Sequence, residues 1–238
     1  MIYLFDIDGT LTEPQKPISD EMTDALLELQ VSDDVFLVTG SDRALLIKNG
    51  QINERLDHNL SGIFTCQGSM LHINGEPVHE VQAEFPNEII DALHEFLDES
   101  DFSIRAGNHI VNRPGMINFT IVGRDATPVE RLEYSQFDKT RHEREYMADV
   151  LRNKFPDYDF MIGGEISIDI SPKGVNKSQV IKYLKDHGNT GFITFFGDKT
   201  FEGGNDFVLA DALRHDGHFN VIHQVQGPQE TLQKLQRP

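Results

Sequence analysis

Apolar positions along the chain follow two different rhythms. "IYLF" ahead of Asp6, "VFLVTG" (Val35–Gly40) and "GFITFFGD" ahead of Lys199 are short, unbroken apolar runs. Runs of that length without alternation predict strands covered on both faces. Between the first two, Met22, Ala25, Leu26 and Leu29 fall on one helical face, with Ser19 as N-cap and Asp20 and Glu21 in the first turn. After Asn176, "KSQVIKYLKDHG" predicts a further helix, with Lys177 at its start. Buried strands separated by helices make an α/β core with a Rossmann-like parallel sheet.

The second rhythm occupies the middle of the chain, from about His79 to Pro172. "PNEIIDALHEFLDE" is an amphipathic helix with Asn87 as its expected cap, and "HIV", "MINFTIVG", "DFMIGG" and "ISIDIS" are short, partly alternating strands. Thr127-Pro128-Val129-Glu130 forms a capping box with proline at the first helical position, and Arg141 to Lys154 is a second helical stretch. Short strands joined by turns predict antiparallel pairing. The expected organisation is therefore a core of residues 1–81 and 174–238 interrupted by an inserted α+β cap, 82–173, of antiparallel sheet plus helices.

Charge and composition narrow the partners. The 238 residues carry a formal net charge of −18, which disfavours nucleic acid and anionic membranes. No 18-residue apolar run offers a membrane span, and the N-terminal apolar run ends at Phe5 without the features of a signal peptide. The single cysteine, Cys66, has no internal partner, so a reducing cytoplasm is expected and Cys66 is read as buried packing.

Three core strands run out into polar residues: Asp6 and Asp8, then Thr39-Gly40-Ser41-Asp42, then Asp198. Ligands of open parallel sheets bind beyond the carboxyl ends of the strands, so these groups are expected to meet. Strand alternation places Asp6 beside Asp8, and like charges that close need a cation or a shared proton. Three carboxylates suit a hard divalent ion such as Mg²⁺. Asn205 and Asp206 could hold metal-bound waters or orient Lys177, a cation whose position at a helix start makes sense facing an anion. Asp42 needs no role beyond a turn or cap.

This set resembles the haloacid dehalogenase-like phosphotransferases, whose marks (Asp-x-Asp-Gly-Thr, a Thr or Ser, a Lys, Gly-Asp with later acids) occur here in order. A closer resemblance, over most of the chain, is to eukaryotic-type phosphomannomutases. It is carried by "LFDIDGTLT", "TGSD", "RPGMINFTIVGRDATPVERLEY", "IGGEISIDISPKGVNK" and "FFGDKTFEGGND". The resemblance implies Asp6 as a nucleophile that becomes an aspartyl-phosphate, Asp8 as general acid and base, and Lys177 as a catalytic cation. It implies Mg²⁺ held by Asp6, Asp8 and Asp198, with Thr39 and Ser41 contacting the phosphoryl group. In the cap it implies Arg113, Arg124, Arg131, Ser167 and Asp169 as sugar-phosphate ligands. The residues themselves agree in part: Ser167 and Asp169 share a strand face, and Arg131 stands unfavourably in the first turn of a helix unless an anion is near.

The activity implied by the resemblance is interconversion of mannose 1-phosphate and mannose 6-phosphate in mannose metabolism, primed by a hexose 1,6-bisphosphate. Glucose phosphates are secondary candidates, and the cap is the expected dimer contact. A Mg²⁺-dependent sugar phosphatase and a non-catalytic sugar-phosphate-binding protein are the alternatives. Two departures stand out. Gln15, with Lys16 beside it, replaces an arginine usual in the family, and "GVNK" and "CQG" (Cys66–Gly68) replace "GWDK" and "ENG".

Overall fold

The computed structural model describes residues 1–189 and 191–236, so positions 190, 237 and 238 of the expected core segment lie outside the described residues. The chain divides into two compact units, Met1–Val81 with Gly174–Pro238, and Gln82–Lys173.

The first unit starts with β1 (Ile2–Phe5), α1 (Asp20–Gln30), β2 (Asp34–Val38), α2 (Arg43–Lys48), α3 (Glu54–Asn59), β3 (Gly62–Thr65), β4 (Met70–Ile73) and β5 (Glu76–Glu80). The second unit supplies α4 (Asn87–Glu99), β6 (Ile110–Arg113), β7 (Met116–Phe119), α5 (Pro128–Arg141), α6 (Glu143–Lys154), β8 (Tyr158–Gly163) and β9 (Ser167–Pro172). The chain then returns to the first unit with α7 (Gln179–Asp186), β10 (Ile193–Gly197), α8 (Phe207–His215), β11 (Val221–Gln224) and α9 (Pro228–Leu235).

The core sheet has strand order β11-β10-β1-β2-β3-β4-β5. Its first five members run parallel, while β4 and β5 add an antiparallel edge that the sequence pattern did not reveal. The alternation of strand side chains splits the apolar residues between two layers. Ile2, Leu4, Phe36, Val38 and Phe195 pack with Val180, Leu184, Leu209 and Leu213 of α7 and α8. Phe5, Val35, Leu37 and Phe196 pack with Met22, Leu26 and Leu56 of α1 and α3. Both faces are therefore apolar, which is why these strands show no period of two. The α/β class expected from the pattern is what forms.

The second unit is a four-stranded antiparallel sheet, β6-β7-β9-β8, with helices on one face. Ile117, Phe119, Ile168 and Ile170 point into a cluster with Ile89, Leu93, Tyr134, Met147 and Leu151 from the three helices. The partners across the ladder, Asn118 and Asp169, share the opposite face. Thr127 closes its capping box with Glu130, Pro128 being the first residue of α5.

Three boundaries differ from expectation. The cap of α4 is Pro86, which has no side-chain acceptor, and Asn87 is the first helical residue. The stretch expected as one helix from Arg141 is the end of α5, a left-handed His142, and α6 from Glu143. Lys177 lies in the turn before α7, whose first residue is Gln179, because the chain makes a tight turn at Lys177 and Ser178 before regular helix begins.

Candidate active site

Phe5 is the last residue of β1, so Asp6 leaves the sheet already held by its backbone N–H, which donates to Phe196 O at 2.9 Å. The carboxylate is buried at the ends of β1 and β10. Lys177 Nζ donates to Asp6 Oδ1 and to Asp206 Oδ1, both at 2.6 Å, and Thr10 Oγ1 approaches Asp6 Oδ2 at 3.4 Å. Lys177 and Asp206 are both 0% exposed. A lysine with no access to water is tolerable only with such partners.

Asp6, Asp198 and Asp206 each offer a carboxylate oxygen within 4.8 Å of the others. Gly9 makes this approach feasible: at φ +82° a side chain is strained, and a Cβ there would stand 2.5 Å from Asp198 Oδ2. Asp8 stands outside the acidic group, although strand alternation predicts it beside Asp6. The reason is local. Residues after Phe5 turn, with Thr10, Leu11 and Thr12 N–H groups all returning to Ile7 O, so the period of two ends before Asp8. The Asp8 carboxylate instead accepts, at Oδ1, from Gln15 N–H and from Gln51 Nε2, each at 2.8 Å.

The electrostatics follow from burial. Desolvation first, and the charge of Asp206 next, push the Asp6 carboxyl up to about 8 against the pull of Lys177. Burial also raises Asp198. For Lys177 burial works downward, but Asp206 and Asp6 outweigh it and hold the ammonium above its ordinary value. Asp198 Oδ1 and Asn205 Oδ1 are buried without a hydrogen-bond donor among the described residues. Clustered carboxylates with an unsatisfied buried oxygen on Asp198 suit a hard divalent cation. Mg²⁺ fits the carboxylates of Asp6, Asp198 and Asp206.

Of the hydroxyls expected to contact a phosphoryl group, Thr39 is buried just after β2 and its Oγ1 accepts from Ser41 N–H at 3.1 Å, which leaves its own O–H to donate. Asp42 caps α2 through Leu45 N–H at 2.8 Å. Cys66 is buried, as expected.

In the second unit, Arg113 ends β6, Arg124 follows β7, Arg131 lies in the first turn of α5, and Ser167 and Asp169 belong to β9. Arg124 Nη1 donates to Asn118 Oδ1 at 3.1 Å, and Asn118 Nδ2 donates to Asp169 Oδ1 at 2.6 Å. A Cβ at Gly163 would meet Asp169 Oδ2 at 2.7 Å, so the glycine admits that carboxylate. Arg131 is half-buried, and desolvation lowers its guanidinium although Glu165 opposes this. No ion pair of Arg131 occurs among the described residues. Sequence reasoning missed Asn118; its signal is a polar residue between Ile117 and Phe119, both fully buried. It also missed Gln51, which no local pattern marks.

Comparison with known proteins identifies the family and the fold. The family model for eukaryotic phosphomannomutase matches residues 22–237. The phosphomannomutase of Spinacia oleracea is 35% identical over 242 residues, covering 98% of this chain and 94% of the relative. That of Arabidopsis thaliana is 32% identical over 242 residues, with 98% and 94% covered. Among solved structures, the C-terminal domain of C. albicans trehalose-6-phosphate phosphatase superposes with a TM-score of 0.65 at 19% identity, covering 98% of this chain and 90% of that one. An IMP-nucleotidase of Plasmodium falciparum gives 0.60 at 16% identity, covering 98% and 66%. At those identities the structures share the fold. The sequence matches go further, and the chain belongs to the eukaryotic phosphomannomutase family.

Proposed function

We propose that the protein is a phosphomannomutase that interconverts mannose 1-phosphate and mannose 6-phosphate by way of a phosphorylated Asp6, primed by a hexose 1,6-bisphosphate. The observation that carries the reading is the buried Asp6–Lys177–Asp206 arrangement at the ends of β1 and β10, in a chain of this family. A carboxylate fixed by a buried ammonium is aimed, and it divides one difficult transfer between two sugar oxygens into two displacements.

In the first displacement an Asp6 oxygen forms a bond to phosphorus as the bond from phosphorus to the sugar oxygen breaks. Asp8 gives its proton to that departing oxygen and takes one from the hydroxyl that attacks next. The ammonium of Lys177 and the hydroxyls of Thr39 and Ser41 offset charge on the transferring oxygens. Mg²⁺, held by Asp6, Asp198 and Asp206, would supply a Lewis-acid counter-charge to the same phosphoryl oxygens.

A mutase must hold a second phosphate while the first reacts. Arg113, Arg124 and Arg131, with Ser167 and Asp169, are assigned to the sugar phosphate. The half-buried Arg131 guanidinium supports this, because a desolvated fork without an ion pair among the described residues is stabilised by an arriving phosphate. A cytoplasmic location belongs to the same reading, as does pairing of two copies through the helices of the second unit. Val129 and Leu132 of α5 and Tyr146 of α6 are exposed apolar side chains that support the pairing.

Phosphorus NMR tests the function directly, with the protein, Mg²⁺, mannose 1-phosphate and a trace of hexose 1,6-bisphosphate. Growth of the mannose 6-phosphate resonance is expected. Release of inorganic phosphate alone would make it a phosphatase, and unchanged spectra a binding protein.

A further inference from the structure

Gln51 follows the C-terminal turn of α2, where its backbone N–H returns to Leu46 O at 2.9 Å, and its side chain is 1% exposed. A buried amide left unpaired costs on the order of 1–3 kcal/mol, so its partners matter. Nε2 donates to Asp8 Oδ1 at 2.8 Å and to Thr12 Oγ1 at 3.2 Å, while Oε1 accepts from Asn49 Nδ2 at 3.4 Å. Gln15 N–H donates to the same Asp8 oxygen at 2.8 Å, from a turn in which Gln15 has φ +59°. Two donors from separate segments thus converge on Oδ1, and no described residue donates to Oδ2.

Resting on the assignment of Asp8 as the acid–base group, we infer that Gln51 is a positioning residue that fixes which Asp8 oxygen exchanges the proton. An oxygen that already accepts two N–H groups has both lone pairs engaged, which leaves Oδ2 as the oxygen turned to the substrate for proton exchange. Rotation of the carboxylate would exchange the two oxygens, and the pair of donors opposes it. In the forward displacement the Oδ2 proton passes to the sugar oxygen as its bond to phosphorus breaks. In the next one the attacking hydroxyl returns a proton to Oδ2.

Leaving groups separate this role from a merely structural one. A sugar oxygen needs the proton as it departs, whereas p-nitrophenolate is a stable anion that does not. Gln51→Met keeps the length of the side chain without its donors, and Gln51→Glu keeps its shape with one carboxylate against another. For both, with Mg²⁺ present, kcat on mannose 1-phosphate is expected to fall about 100-fold, with KM within about threefold. The nitrophenolate burst from p-nitrophenyl phosphate should slow by no more than about threefold. Equal losses on both esters, or no loss on either, would overturn the inference; if Gln51→Met fails to fold, Gln51→Glu decides it. A wild-type protein inert toward mannose 1-phosphate would instead overturn the function beneath it.

Discussion

Lys177 and Asp206 form an ion pair closed to solvent, with Nζ 2.6 Å from Oδ1 and neither side chain exposed. The sequence holds them 29 positions apart, on either side of β10. Breaking one member of such a pair typically costs about 3–5 kcal/mol, because the other charge stays buried. Lys177→Met should therefore lower unfolding free energy by about 3 kcal/mol in urea titrations and abolish turnover. Unchanged stability would mean the two carboxylates are not held as described.

Metal binding should depend on pH with a definite sign. Burial holds the Asp6 carboxyl up to about 8, and a cation needs the ionised form, so protons compete with Mg²⁺ below that value. Calorimetric titration should show the apparent Kd rising roughly tenfold per unit as pH falls from 7 to 6, with about one proton released per ion. Asp6→Asn should weaken binding and reduce the pH dependence to the part owed to the raised Asp198. A flat profile in the wild type would contradict the Asp6 environment.

In the second unit, Asn118 joins Arg124 to Asp169, so its loss should disturb both without removing either. Asn118→Leu and Arg131→Ala are each expected to raise KM for mannose 1-phosphate about tenfold or more, with smaller effects on kcat. Arg131→Lys should recover only part, since a point charge lacks the planar fork. Steady-state kinetics read this. Equal effects from replacing an exposed arginine such as Arg55 would remove the assignment.

A stability prediction rests on His72. Its ring is buried, desolvation first and then the Arg43 charge hold it below 6.5, and Nδ1 has no hydrogen-bond partner among the described residues. Because the folded state binds that proton less readily than the unfolded chain, stability is lost as pH falls below 6.5 toward the folded value. One such group contributes at most about 1.4 kcal/mol per pH unit. Urea midpoints between pH 7 and 5 should fall less steeply for His72→Gln than for wild type.

The alternation of core and insert was legible because each element declares its surroundings locally. Strands such as Phe36–Val38 are apolar throughout because both their faces are covered, whereas Ser167 to Ile170 alternate because only one face is. The edge hairpin of β4 and β5 was less legible. Gly62 to Thr65 is fully buried, but Glu76, Pro77 and Val78 are exposed, so β5 has no apolar signal. The chemistry was similarly divided. Asp6, Asp198 and Lys177 stand in short motifs at strand and helix ends, and their residue types already pointed to a phosphoryl group and a hard cation.

What the sequence determined alone was therefore the period of each element, the order of the acids and the family they resemble. These depend on neighbours a few positions away. The tertiary structure decided that Asp206, not Asp8, joins the acidic group, that Gln51 reaches Asp8 across 43 positions, and that Asn118 ties Arg124 to Asp169. A turn that ends strand alternation after Phe5, and side chains that meet only through sheet register, leave no periodic trace along the chain. Contacts between distant segments are fixed by packing and by the need of buried polar groups for partners, and those demands exist only once the chain is folded.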